Sequence, residues 1–109
     1  MAQERINQLQ AFLADTPDDP FLMYALALEY AKVGDDAAAR GYFETVLKDH
    51  PEYVGAYYHL GKLLERGGFI EEAKAVYTKG IGVAVDDKKA RVELKEALAM
   101  LYDDEDDEE

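Results

Sequence analysis

Apolar residues recur along this chain at helical rather than strand spacing. Met23, Leu26, Ala27 and Tyr30 fall on one face of a helix, and Tyr57, Leu60, Gly61 and Leu64 repeat the arrangement further on. Ile6, Leu9, Phe12 and Leu13 keep the same spacing near the start, as do Leu94 and Leu98 near the end. Breaks in the pattern carry helix-ending chemistry. Gly34 and Gly68 follow two of the apolar runs, where a left-handed C-cap suits glycine, and Asp19-Pro20 combines an N-capping carboxylate with a proline at the first helical position. Pro17 and Pro51 cannot extend the helices before them. The pattern predicts six helices, near residues 3–14, 20–33, 36–49, 53–66, 69–84 and 87–102. Gly80 and Gly82 weaken the fifth and predict a looser or bent end around 80–86, although Gly80 also suits a close crossing.

The helices repeat in pairs. An offset of 34 residues places Tyr24 on Tyr58, Leu26 on Leu60, Ala27 on Gly61, Gly34 on Gly68, Ala39 on Ala73, Phe43 on Tyr77 and Leu47 on Ile81. Asp15 and Pro17 fall likewise on Asp49 and Pro51. Ala27 and Gly61 are small where two helix axes must approach, with Ala39 and Ala73 serving the same crossing from the other side. The period, and its succession of large, Leu, small, aromatic, small, aromatic and Pro, resembles the tetratricopeptide repeat. The first unit carries Met23, Leu26, Ala27, Tyr30, Gly34, Ala39, Phe43 and Pro51. The second carries Tyr57, Leu60, Gly61, Leu64, Gly68, Ala73 and Tyr77, with Val85 in place of the closing proline. The Trp usual at the first aromatic position is absent.

The resemblance implies an all-α fold, an antiparallel helix-hairpin solenoid within a single domain of residues 1–102. Residues 1–19 read as the second half of a missing repeat, since Leu9, Phe12 and Leu13 align with Phe43, Val46 and Leu47. Full repeats then span 20–53 and 54–87, and 88–102 form a capping helix, because Lys95 stands where a close crossing holds Ala27 and Gly61.

Composition changes this picture at one end only. The net charge of -12 is uneven: Asp103 to Glu109 are seven consecutive acids, expected to form a disordered, solvating tail and a candidate visitor to Lys62 and Arg66. Acidity and the lack of a basic patch argue against nucleic acid as partner. No apolar run approaches the roughly 18 residues of a membrane span and none follows a basic start, so a cytoplasmic protein without membrane attachment is expected. Cysteine and serine are both absent, which removes disulfides, thiolate ligands and the usual nucleophiles. His50 and His59 have no catalytic company in the sequence. No enzyme, cofactor or metal site is therefore expected.

In tetratricopeptide proteins the first helices of successive repeats line a concave groove that takes partner segments, and the resemblance implies that role for the second, fourth and sixth helices. The residues one face away from the core are Phe21, Tyr24, Leu28 and Lys32, then Gly55, Tyr58, Lys62 and Arg66, then Lys89, Val92 and Glu96. The candidate binding set is Phe21, Tyr24, Leu28, Tyr58, Lys62, Arg66 and Lys89. Its aromatic and cationic character suits a protein or peptide with carboxylate and apolar side chains. Some family members clamp the acidic C-terminus of heat-shock chaperones with Lys, Arg and Asn, but the single asparagine here, Asn7, lies outside the groove helices. The expected function is an adaptor that exists as a monomer or weak homodimer. Self-assembly through the terminal helices is the alternative, motivated by half-repeats at both ends and opposed by Lys95.

Overall fold

The computed structural model describes the backbone of residues 2–106 and the side chains of residues 2–102. Among the described residues six α-helices follow in order: α1 (Ala2–Asp15), α2 (Pro20–Lys32), α3 (Asp36–Asp49), α4 (Val54–Arg66), α5 (Ile70–Val83) and α6 (Lys88–Asp106). Their contacts group into two units, Met1–Pro51 and Glu52–Glu109.

In the first unit α2 packs against both α1 and α3. Ile6 and Leu9 of α1 are buried with Leu26 of α2, and Leu13, Leu22, Ala25, Tyr30 and Tyr42 close around them. Burying a side chain of this size contributes about 1.5–3 kcal/mol. Polar contacts fix the register. Gln10 donates to the Tyr30 hydroxyl at 2.7 Å, the Tyr30 ring stacks on Tyr42 at 5.8 Å, and Arg5 reaches the buried carboxylate of Glu29 at 3.4 Å. Asp19 caps α2 as its sequence requires, accepting the Phe21 amide at 2.9 Å ahead of Pro20.

Both hairpin turns use one device. Gly34 and Gly68 adopt φ of 83° and 85°, in the left-handed region that favours glycine. The next amides, of Asp35 and Phe69, then donate back to Tyr30 and Leu64 carbonyls at 3.0 and 2.9 Å. Gly34 and Gly68 themselves donate to Ala31 and Glu65, which completes a Schellman cap in each turn. Asp35 serves twice, since its carboxylate also accepts the Ala38 amide and starts α3.

In the second unit α5 packs against α4 and α6, and α6 also meets α4. Two glycines set how closely. A Cβ at Gly61 would collide with Cε1, Cζ and Cδ1 of Tyr77, and one at Gly80 would lie 2.7 Å from Tyr57 Cβ and 3.0 Å from Leu94 Cδ1. The fifth helix stays regular through Gly80 because that glycine is buried in a crossing, and it ends at Val83. Arg91 of α6 donates to the Ile81 carbonyl at 2.9 Å, satisfying a helix end that lacks a glycine cap.

The sixth helix departs from expectation. It runs to Asp106, so residues 103–106 are helical, where the acid run was expected to be disordered from 103. No Gly or Pro interrupts it, and the buried stripe Leu94, Ala97 and Leu101 anchors it up to the acids, so the next turn propagates from a formed one. Its lysines near the N-terminus and acids near the C-terminus oppose the helix dipole, which leaves packing and the Asp87 cap on the Ala90 amide as the forces that hold it. Residues 107–109 lie outside the described residues, as do the acid side chains and their expected visit to Lys62 and Arg66. Lys95 is exposed where Ala27 and Gly61 are buried in the earlier copies.

Candidate functional site

The second unit places Tyr58 and Lys62, one turn apart on α4, against the face of α6 that carries Glu93, Glu96, Ala97 and Met100. These six side chains line an open hollow of about 180 Å³. Tyr57, Leu60, Gly61 and Leu64 turn into the core, so the helical period leaves Tyr58 and Lys62 on the adjoining flank. Spacing along α6 works in the same way: 93, 96 and 100 form an exposed flank beside the buried 94, 97 and 101, of which Ala97 also reaches the hollow.

The charges in the hollow differ in how they are engaged. Lys62 Nζ lies 3.7 Å from Glu65 and 5.6 Å from the centroid of the Tyr58 ring, which places its cation over a π face. The Tyr58 ring also stands edge-on to His59 at 5.5 Å. Loss of surrounding water lowers the His59 pKa below its ordinary value, and the Glu93 carboxylate opposes that shift. Glu65 is further engaged by the Tyr77 hydroxyl, which donates to it. Burial, reinforced by that hydrogen bond and by the Glu65 charge, pushes the Tyr77 pKa far above the tyrosine range. Burial likewise raises that of Tyr57, with Glu52 adding to the effect.

Of the residues singled out in the sequence, Tyr58 and Lys62 come together, with Glu96 beside them; Arg66 and Lys89 are exposed on α4 and α6 but do not line the hollow. In the first unit the expected stripe divides. Phe21 is 64% exposed, whereas Tyr24 and Leu28 are half-buried and the Tyr24 ring meets buried Phe43 edge-on at 6.1 Å. Lys32 is paired with buried Glu29 at 3.1 Å. Sequence reasoning missed Glu93, Ala97 and Met100. Their signal was the i, i+3, i+7 spacing of 93, 96 and 100, one step round α6 from the flank through Val92. Among the described residues no group of three or more His, Cys, Asp or Glu is placed to hold a metal ion, and no helix is long and apolar enough to cross a membrane.

A repeated helical hairpin, closed by glycine turns, defines the class of α-helical repeat proteins. Comparisons with known proteins agree. A tetratricopeptide repeat domain protein from Salinibacter ruber is 41% identical, covering 77% of this chain and 96% of its own, with a TM-score of 0.73. A protein from Bordetella parapertussis is 28% identical over 91% of this chain and 88% of its own, with a TM-score of 0.79. The type III secretion translocator chaperone SycD of Yersinia enterocolitica shares the fold at a TM-score of 0.89, covering 96% of this chain and 74% of its own at 12% identity. No family model matches the chain, and no curated protein does. The chain belongs to the tetratricopeptide repeat family.

Proposed function

We propose that the protein is a non-enzymatic adaptor whose α4/α6 hollow holds a segment of a partner protein. The observation that carries this reading is the meeting of Tyr58, Lys62, Ala97 and Met100 around an open space, which offers aromatic, cationic and apolar contacts at one place. Such a combination suits a side chain presented by an extended or helical segment. Lys62, together with Arg66 and Lys89 on the same helices, suits carboxylates on the flanking part of that segment, and Phe21, Tyr24 and Leu28 give the first unit an apolar contact of its own. The reading agrees with membership of a family of interaction modules. Replacing Tyr58 and Lys62 together by alanine should leave the helical circular dichroism intact, because Lys62 is exposed and Tyr58 half-buried, and should remove a partner captured by the wild-type chain from its native cell. A partner retained at full strength by the double variant overturns the site.

A second reading, self-association through the terminal helices, is favoured by one observation. Phe12 of α1 is 60% exposed, while its repeat counterparts Val46 and Gly80 are buried. Phe12 therefore presents to solvent an apolar side chain at a position that the later copies bury. Sedimentation at high concentration should show a dimer that Phe12→Gln abolishes; a wild-type mass of 12.2 kDa throughout overturns this reading.

A further inference from the structure

The carboxylates of the hollow point to its occupant. Glu93 and Glu96 both line it, and among the described residues neither makes a hydrogen bond or an ion pair; Glu93 has only the electrostatic influence of His59. Lys62 is the reverse case. Its ammonium group is already engaged by Glu65 at 3.7 Å and by the Tyr58 ring, so it is partly neutralised before anything binds. The hollow therefore holds two uncommitted negative charges on the α6 wall facing one committed positive charge on α4. Apolar surface completes the description, since Ala97, Met100 and the Tyr58 ring line the same space.

That combination matches a long cationic side chain. Lysine and arginine bury an aliphatic stem along apolar surface while their charged heads seek carboxylates, and methionine accommodates such stems without strain. An acidic side chain entering the same space would meet Glu93 and Glu96 without a free cation to compensate. The whole-chain charge of -12 acts in the same direction by drawing basic segments toward the surface.

We propose that the α4/α6 hollow receives a Lys or Arg side chain of the partner segment, its stem against Tyr58, Ala97 and Met100 and its head at Glu93 and Glu96. This rests on the reading of the hollow as a partner site and changes its chemistry: the residue that enters is basic.

The test is an amide-resonance titration of the full chain with two capped heptapeptides of alanine and leucine, one with a central arginine and one with a central glutamate. The arginine peptide should move the amides of Tyr58, Ala97 and Met100 saturably and bind about fivefold or more tighter than the glutamate peptide. The pair Glu93→Gln and Glu96→Gln, both exposed positions, should erase that preference while leaving the rest of the amide spectrum in place. Equal or tighter binding of the glutamate peptide at the same amides overturns the basic occupant but leaves the partner site standing. If neither peptide moves those amides, both fall. The ratio measured on the wild-type chain decides the matter even if the double variant does not fold.

Discussion

The two glycine-turned hairpins, α2/α3 and α4/α5, share one repeat frame but close it with different atoms. In the first, Ala27 occupies the small position and Phe43 the second aromatic; in the second the pair is Gly61 and Tyr77. All four are buried. The exchange is concerted: the methyl group removed at 61 vacates the space that the Tyr77 ring fills, and the added hydroxyl finds Glu65. A buried hydroxyl without a partner is destabilising, so the glycine, the tyrosine and the acid form one solution and the alanine and phenylalanine another. The second solution also reaches the hollow. Glu65, held by Tyr77, is also the residue that engages Lys62 at the edge of the hollow.

The largest effect should come from forcing the first solution onto the second hairpin. Gly61→Ala places a methyl group inside the Tyr77 ring, and the overpacking should outweigh the helix propensity gained, for a net loss of about 1–3 kcal/mol in urea unfolding. The reciprocal Ala27→Gly relieves no overpacking and should lose about 1 kcal/mol through propensity and somewhat under about 1 kcal/mol more through the buried methyl group it removes. Equal losses at the two positions would mean that the hairpins are not distinct solutions.

A smaller effect, with a pH signature, should follow Tyr77→Phe. At neutral pH it should lose about 1–2 kcal/mol as the hydrogen bond to Glu65 disappears. The alkaline limb separates this hydroxyl from mere packing. In the folded chain the pKa values of Tyr57 and Tyr77 are raised above the ordinary tyrosine value of 10.0, so the unfolded chain gives up those protons first. Their contribution is complete below about pH 10 and is lost as pH rises beyond it. Urea midpoints at about pH 8 and about pH 11 should therefore fall less steeply for Tyr77→Phe than for the wild type; parallel slopes would remove the buried hydroxyl as the cause.

Much of the fold was legible because its signals are local. Gly34 and Gly68 ended helices where a left-handed residue was needed, Asp19-Pro20 began one, and the offset between Leu26 and Leu60 identified equivalent faces. Gly80 was ambiguous, since one glycine reads equally as a weak spot or as a crossing, and only the positions of Tyr57 and Leu94 distinguish the two. The acid run misled for a related reason. Composition describes a solvated segment, but a helix already anchored at Leu101 needs no apolar side chains to continue another turn.

The lining of the candidate site was half legible. Tyr58 and Lys62 followed from being one flank away from a core face, and Tyr24 from the same rule, yet Tyr24 rests edge-on against Phe43 while Tyr58 opens onto a hollow. On its own the sequence determined the period, the helix ends and the side chains assigned to the core, because each depends on residues within a turn or on a fixed offset. Only the tertiary structure decided that the 93–96–100 flank of α6, rather than the one through Val92, stands beside α4. That choice is set by how far the glycines let α5 approach its neighbours and by Arg91 reaching the end of α5, which are volumes and reaches summed across segments remote in the chain.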